Sequence, residues 1–225
     1  MGKLYVVATP IGNLSDITFR AIETLKSVDL IICEDTRVTK ILLDHYSISK
    51  PLFVINAQNE TRKIPELINK IRSGLNCAFV SDAGTPSISD PGTRVVNAAI
   101  KDGIEVIGIP GPSAVTLALS ISGLPTDAFV FEGFLPQKKG RQTKLKELAV
   151  EERTIVLYES TYRIEKFLNE LNEYFPERQI AVCRELTKKF EEVWRGTASE
   201  ILSDFSNKVT KGEFVVVIAP INFKM

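Results

Sequence analysis

The sequence predicts an α/β protein of two domains, the first built on a parallel five-stranded sheet with helices on both faces. Short apolar segments alternate with helix-like segments through the first half, and loops rich in glycine and proline follow several of the apolar segments. A similar alternation resumes after a hinge-like stretch, Ser122–Thr126. We therefore expect an N-terminal α/β domain over residues 1–122 and a mixed α/β domain over 123–225, with a ligand in the cleft between them.

Apolar runs and helix-ending signals place the elements of the first domain. The predicted strands are Leu4–Ala8, Asp29–Cys33, Leu52–Ile55, Cys77–Val80 and Ile104–Ile109. The predicted helices are Thr18–Ser27, Arg37–Tyr46, Ile64–Ser73, Pro91–Lys101 and Ser113–Ser122, with Asp16 and Asp90 as candidate caps.

The second domain alternates less regularly, which indicates a mixed sheet. Its predicted strands are Phe129–Glu132, Thr154–Tyr158, Gln179–Cys183, Glu192–Arg195 and Phe214–Ala219. Its predicted helices are Arg141–Ala149, Thr161–Glu173 and Ser199–Phe205.

Composition excludes several classes of protein. The chain is 44% hydrophobic and 25% charged, as in ordinary globular proteins, and no apolar run approaches the roughly 18 residues of a membrane span. The first residues lack the apolar region of a signal peptide, so a cytoplasmic location is expected. The formal net charge is zero, which gives no global electrostatic signature for nucleic acid, DNA included.

The cysteines and the single histidine argue against metal and disulfide chemistry. Cys33, Cys77 and Cys183 lie in or beside apolar strands without CxxC spacing, which predicts buried free thiols. His45 is the only histidine, so neither a histidine-based metal site nor a Ser-His-Asp triad is expected.

Three loops at the carboxyl ends of predicted strands indicate a shared ligand pocket: Thr9–Asp16, Ser81–Gly92 and Pro110–Ala114. The GxGxxG and GxxxxGK[ST] motifs are absent, so common NAD and ATP sites are disfavoured. Carboxylates also follow these strands and can hold ribose hydroxyls, act as bases or merely cap helices; they are Glu34, Asp35, Glu60, Asp82 and Asp90.

A basic span, Lys138–Lys146, contains five lysine and arginine residues and no acidic residue. Such a span is either a local nucleic-acid contact or the solvated face of a helix.

Several of these segments together resemble one family, the bacterial 2'-O-methyltransferases that modify a decoding-centre cytidine of small-subunit ribosomal RNA, within the tetrapyrrole methylase superfamily. The resemblance covers nearly the whole chain in order. The segments that carry it are Leu4–Leu14, Glu34–Arg37, Ser81–Gly92, Pro110–Ala114, Ser122–Asp127, Phe131–Pro136 and Arg184–Lys188.

The resemblance implies a homodimeric enzyme that binds S-adenosylmethionine between two α/β domains and acts on ribosomal RNA; no metal ligand is assigned. The family's cofactor contacts carry over to Thr9, Pro10, Ile11, Asp82, Ala83, Thr85, Ser113, Ala114, Leu157 and Tyr158. Ala57 and Tyr162 stand where the family usually has histidine, so a mechanism that needs those histidines is not expected. On this basis the basic span is interpreted as part of the RNA contact.

For the methyl transfer itself, the candidate catalytic residues are Glu34, Asp35, Arg37, Glu60 and Lys139. Asp35 or Glu60 would accept the hydroxyl proton, while Arg37 and Lys139 would hold phosphate or stabilise the alkoxide. The alternative for Glu34–Arg37 is a structural ion-pair network that braces the loop. Two other functions stay open: methylation of a tetrapyrrole or protein side chain, and a non-catalytic RNA-binding module.

Overall fold

A computed structural model describes residues 1–224 of the chain, which form two compact units. The first unit ends at Ser113 and the second begins at Ala114, nine residues before the boundary expected at Ser122. Within residues 1–224, no helix is long and apolar enough to cross a membrane.

The first unit is a five-stranded sheet in the order β3-β2-β4-β1-β5, and its strands are all parallel, as predicted. Its strands are β1 (Leu4–Val7), β2 (Leu30–Cys33), β3 (Leu52–Val54), β4 (Cys77–Val80) and β5 (Val106–Ile109). Its helices are α1 (Phe19–Ser27), α2 (Thr36–His45), α3 (Glu60–Arg72) and α4 (Thr93–Lys101).

Both faces of this sheet are covered, which explains why its strands are continuously apolar. On one face, Ile32 and Phe79 pack with residues of α3 and α4 such as Leu67 and Val95. On the other face, Ile31 and its neighbours pack with residues of α1 and α2, including Leu25 and Leu42. Because the five strands are parallel, their carboxyl ends, and the loops that follow them, lie at one edge of the sheet.

Two predicted helix caps are wrong. Thr18, not Asp16, caps α1, because its hydroxyl accepts a hydrogen bond from the Ala21 N–H at 3.1 Å. Helix α4 begins after Gly92, which has no side chain to cap with, rather than after Asp90. Position in the turn decides the cap, and several polar residues precede each helix.

The second unit is a mixed five-stranded sheet in the order β6-β7-β10-β8-β9. Its strands are β6 (Phe129–Phe134), β7 (Thr154–Ser160), β8 (Gln179–Arg184), β9 (Glu192–Thr197) and β10 (Glu213–Ile218). Its helices are α5 (Ala114–Ser122), α6 (Arg141–Ala149), α7 (Ile164–Tyr174) and α8 (Ala198–Ser203). Strands β6 and β7 are parallel and the other pairs antiparallel, as the mixed pattern predicted.

One face of this second sheet carries the largest apolar cluster, in which Leu157, Phe167 and Trp194 are buried with residues of α6, α7 and α8. Helix α5 packs on strands β8 and β10. The three cysteines are buried free thiols, as predicted.

Replacement of Gly92 is expected to destabilise the first unit. The φ of Gly92 is +133°, and an added Cβ would lie 2.2 Å from the Phe79 ring in the core. Gly92→Ala should therefore lower the free energy of unfolding by about 2–5 kcal/mol, from overlap and backbone strain together. Urea unfolding measures this. Gly103→Ala is the matched control, since Gly103 has φ +70° with nothing within 4 Å of an added Cβ. An equal loss in both variants would contradict the packing argument.

Candidate active site

The loops after β1, β4 and β5 are fastened to one another at the carboxyl edge of the first sheet. The N–H of Thr9 donates to the Gly84 carbonyl at 2.9 Å, and the Gly84 N–H donates back to Thr9 at 3.0 Å. The Thr85 hydroxyl donates to the Pro112 carbonyl at 3.1 Å. The order β4-β1-β5 makes these loops neighbours, so the three segments form one layer.

Thr9 joins the first of these loops to the second through both its backbone and its side chain. It is 3% exposed, its backbone forms the bridge to Gly84, and its hydroxyl donates to the Ser81 carbonyl at 3.0 Å. Of the cofactor positions carried over from the resemblance, Pro10 is buried and Ile11 half-buried, while Ala83 is exposed. Of the positions in this layer, Ile11, Asp82, Ala83 and Thr85 keep exposed surface.

The loop after β4 holds strained backbone. The non-glycine residues Ser87 and Ser89 have φ +70° and +62°, a region that glycine adopts freely but other residues do not. The Ser87 hydroxyl is also buried without a partner among the described residues. Such conformations cost free energy and persist where the surrounding structure enforces them, commonly at functional sites.

A group of carboxylates gathers beside this loop. Burial raises the pKa of Glu34, and the charges of Asp82, Asp90 and Asp35 raise it further. Burial likewise raises the pKa of Asp90, with a contribution from Asp82, and it raises the pKa of Asp82. Asp82 also accepts a hydrogen bond from the Asp35 N–H at 3.2 Å. The edge is therefore a partly buried region of negative charge.

Asp35 and Arg37 form the structural pair that the sequence left as an alternative. Asp35 caps α2 by accepting from the Arg37 N–H at 2.8 Å, and its carboxylate pairs with the Arg37 guanidinium at 2.6 Å. These bonds hold the pKa of Asp35 at about 2. A carboxylate this acidic is a weak proton acceptor, so the geometry favours capping for Asp35 over general-base catalysis.

Glu60 begins helix α3 and is 7% exposed. Its Oε1 is buried with no hydrogen-bond partner among the described residues, and its Oε2 lies 3.9 Å from the Arg94 Nε. A buried carboxylate oxygen without a donor is costly, which marks Glu60 as a position where a ligand would supply one.

The remaining predicted site residues lie in or beside the second unit. Ser113 and Ala114 are half-buried and flank the division between the units. Leu157 is fully buried in the apolar core, so its side chain is not available to a ligand. Tyr158 is half-buried, with its ring 5.0 Å from Phe131 and 5.5 Å from Phe134 between centroids. Lys139 is exposed on the loop between β6 and α6.

One assignment within the basic span is wrong. Arg141 is 4% exposed and binds the Glu170 carboxylate at 2.6 Å, with Glu159 at 3.5 Å and the Pro136 carbonyl at 3.2 Å. It holds the unit together instead of contacting a substrate. The other basic residues of the span are lysines, of which Lys138, Lys139 and Lys146 are exposed, and nothing in the sequence separates Arg141 from them.

The chemistry of this cluster of carboxylates suits the expected cofactor. Glu34, Asp82 and Asp90 repel one another in a partly buried place, and a cationic ligand with hydroxyl donors would relieve that repulsion. S-adenosylmethionine carries a sulfonium cation and ribose hydroxyls. Among residues 1–224, no group of three or more histidine, cysteine or acidic residues could hold a metal ion.

The raised carboxyl pKa values predict how stability depends on pH. Glu34, Asp82 and Asp90 bind protons more tightly in the folded chain than in the unfolded chain. Their contribution to the free energy of unfolding therefore falls as the pH rises above the ordinary pKa values, 4.5 for Glu34 and 3.8 for the two aspartates. Glu34→Gln should remove part of this loss and raise the thermal midpoint of the ligand-free protein at pH 7 by roughly 1–3 °C. Calorimetry across pH tests it. A midpoint lower than that of the wild type at pH 7 would contradict the prediction.

Comparisons with known proteins agree with this geometry. The family model for tetrapyrrole (corrin/porphyrin) methylases matches residues 3–202. A Thermotoga maritima protein named ribosomal RNA small subunit methyltransferase I is 48% identical over 97% of this chain and 99% of its own length. A Synechocystis protein of the same name is 52% identical over 97% of this chain and 79% of its own.

Solved structures share the fold at low sequence identity. A diphthine synthase has a TM-score of 0.73 at 13% identity, covering 97% of this chain and 90% of its own. Uroporphyrin-III C-methyltransferase from Thermus thermophilus, in complex with S-adenosylhomocysteine, has a TM-score of 0.65 at 18% identity, covering 96% and 97%. The family match and the near-complete coverage by the relatives show that this chain belongs to the tetrapyrrole methylase family and, within it, to the ribosomal RNA small subunit methyltransferase I proteins.

Proposed function

We propose that this protein transfers a methyl group from S-adenosylmethionine to the ribose 2'-hydroxyl of a cytidine in the decoding region of small-subunit ribosomal RNA. Methyl transfer from S-adenosylmethionine follows from membership of the family. The observation that carries the RNA substrate is the 48% identity, over almost the full length of both chains, to a protein named for that activity. The cytidine, its 2'-oxygen and the decoding region are our proposal, supported by the resemblance of the motifs.

The first unit would supply most of the cofactor contacts, through Ile11, Asp82, Ala83 and Thr85. Ser113, Ala114 and Tyr158 are proposed to complete the site. The bound cofactor supplies a methyl group made electrophilic by its sulfonium centre. The protein contributes position, since alignment of the hydroxyl with that methyl group accounts for much of such a rate acceleration.

Glu34 is the residue we propose as proton acceptor for the 2'-hydroxyl. Burial and three neighbouring carboxylates raise its pKa, which makes it a stronger base than Asp35, whose pKa is about 2. Glu60 stays a second candidate because its Oε1 is buried without a donor among the described residues. Lys139 is exposed and would contact phosphate, whereas the Arg37 guanidinium is already paired with Asp35.

We propose that the protein is cytoplasmic, since ribosomal small subunits are found in the cytoplasm. We also propose that it is a homodimer. A dimer would double the exposed lysines that face RNA, which suits a chain of zero net charge.

The exposed lysines of the loop after β6 give a direct prediction. Lys138→Ala with Lys139→Ala should weaken RNA binding and lower the slope of log Kd against log salt by about 2, because each lysine is expected to neutralise one phosphate. Arg141 is left out of this pair because it is buried. Filter binding at several salt concentrations measures the slope. Lys101→Ala, an exposed lysine at the end of α4, is the control, and an equal slope in all proteins would remove the loop from the RNA contact.

The proposed function is tested by methyl transfer from labelled S-adenosylmethionine to three acceptors: unmethylated small ribosomal subunits, a uroporphyrin-type tetrapyrrole, and total protein. We expect label in the RNA of the subunits and none in the other two. Label found only in the tetrapyrrole, or only in protein, would show that the enzyme methylates that acceptor instead of RNA. If the protein binds the cofactor and RNA tightly but transfers no methyl group to any acceptor, it is a non-catalytic RNA-binding module.

A further inference from the structure

Three loops of the second unit emerge at one edge of its sheet. Strands β6 and β7 are parallel, and β7 and β8 are both antiparallel to β10, so β6, β7 and β8 all run in the same direction. Their carboxyl ends therefore lie at the same edge. The loops that follow them are residues 135–140, 161–163 and 185–191. We call these loops, together with Phe134 at the end of β6, the aromatic edge.

Each part of the aromatic edge carries one exposed aromatic residue. Phe134 is 53% exposed, Tyr162 is 96% exposed and Phe190 is 64% exposed. Single exposed apolar residues are common, but three along one sheet edge form a surface with a large uncovered aromatic area. Aromatic faces of this kind are the usual platforms for unpaired nucleic-acid bases.

A cationic side chain lies beside each of two of these aromatic rings, Phe134 and Phe190. The Arg163 guanidinium carbon is 5.9 Å from the centre of the Phe134 ring, and Arg163 directly follows Tyr162. The Lys189 ammonium is 5.5 Å from the centre of the Phe190 ring. Arg163 pairs with Glu159 at 2.7 Å and Lys188 pairs with Glu185 and Glu213, whereas Lys138, Lys139 and Lys189 have no ion pair within the described residues. These free cations match a polyanion.

Side-chain bonds hold the loops in fixed positions. The Thr161 hydroxyl donates to the Gly212 carbonyl at 2.6 Å, and the Lys188 ammonium binds Glu213 at 2.8 Å, two contacts that join both loops to the turn before β10. The buried Arg184 donates to the Phe190 carbonyl at 2.9 Å and to the Lys211 carbonyl at 2.8 Å. The aromatic side chains thus project from a braced backbone.

The loop that presents Phe190 is also strained. Glu185 and Thr187 have φ of +51° and +66°, although neither is glycine, and the Thr187 hydroxyl is buried without a partner among the described residues. A turn built from glycine or asparagine would avoid this strain. Its retention together with the bracing indicates that the position of Lys189 and Phe190 matters.

We propose that the aromatic edge binds unpaired ribosomal RNA nucleotides near the target, with bases stacked on Tyr162, Phe190 and Phe134 and phosphates held by Lys189, Lys138 and Lys139. This inference rests on the proposed RNA substrate and deepens it. The basic loop after β6 is then one part of a longer surface that reaches the loop after β8.

The test is the affinity of alanine variants for a short single-stranded RNA containing cytidine, and for unmethylated small ribosomal subunits. Tyr162→Ala and Phe190→Ala should each raise Kd about tenfold for both ligands. Because stacking releases no counterions, these variants should keep the salt slope of the wild type, whereas Lys189→Ala should lower it by about 1. Phe129→Ala is the matched control, since Phe129 is exposed at the opposite end of β6 and should leave Kd unchanged.

The outcomes separate this inference from the proposed function. Wild-type Kd values in the Tyr162, Phe190 and Phe134 alanine variants, with methylation of the subunits intact, would overturn the inference alone. Weaker binding to the particle with unchanged binding to single-stranded RNA would point to a ribosomal protein as the partner and also overturn it. Absence of RNA methylation by the wild type would remove the proposed function and this inference together. Thermal unfolding should be unchanged in the Tyr162 and Phe190 variants, since both side chains are exposed.

Discussion

Glu34→Gln is expected to lower kcat for methyl transfer to small ribosomal subunits by about 10²–10⁴-fold. The amide keeps the shape of the side chain but cannot accept the proton of the 2'-hydroxyl. Because the change also removes one of the carboxylates that suit the cationic cofactor, KM for S-adenosylmethionine should rise as well, while the fall in kcat persists at saturating cofactor. The loss is measured with saturating cofactor and subunits over a range of pH. In the wild type, kcat should fall in acid as Glu34 is protonated, and this limb should be missing in the variant.

Two other variants make the test of Glu34 specific. Asp16→Asn changes an exposed carboxylate in the turn after β1 and should leave kcat unchanged. Glu60→Gln distinguishes the second candidate. If Glu34→Gln keeps full activity while Glu60→Gln loses it, the proton acceptor is Glu60 and the assignment of Glu34 is wrong.

Arg141→Ala should lower the free energy of unfolding of the protein by about 3–5 kcal/mol. The change leaves the buried carboxylate of Glu159 without one of its two arginine partners and removes the bidentate partner of Glu170. Breaking one side of a buried ion network costs more than the network contributes, because an uncompensated charge stays in the interior. Urea unfolding of the purified protein measures the loss.

The control for Arg141 lies on the same helix. Lys146→Ala removes an exposed charge from α6 and should change the free energy of unfolding by less than about 0.5 kcal/mol. Combining Arg141→Met with Glu159→Gln should recover part of the stability, since the buried carboxylate that lost Arg141 is then neutral. Equal stability of Arg141→Ala and wild type would show that Arg141 is a surface residue after all.

Much of the fold follows from local patterns in the sequence. All ten strands lie within a few residues of their predicted positions, because continuous apolar runs such as Cys77–Val80 are buried on both faces of a parallel sheet. Helix α3 begins at Glu60, four residues earlier than predicted. The prediction began late because the apolar pattern starts only at Ile64 and a proline, Pro65, follows it. Pro65 is the sixth residue of α3, so it removes one i→i−4 hydrogen bond inside the helix, and the sequence therefore favoured a helix start beside it.

The candidate site could be predicted only in part. The sequence placed Glu34, Asp82 and Asp90 at strand ends, but their shared burial depends on which strands are neighbours. The roles of Arg141 and Thr9 depend on contacts with residues far along the chain, Glu170 and Gly84. The exposure of Tyr162 and Phe190 likewise has no local signal, since an aromatic residue beside apolar segments is more often buried.

The central claim is that the methyl group goes to the ribose of a cytidine in small-subunit ribosomal RNA. It is tested most directly by digesting RNA labelled by the purified enzyme to nucleosides and identifying the labelled species by chromatography with mass spectrometry. We predict one labelled product, 2'-O-methylcytidine, from a single site in the decoding region. A methyl group on a base, or on a nucleoside other than cytidine, would contradict the account.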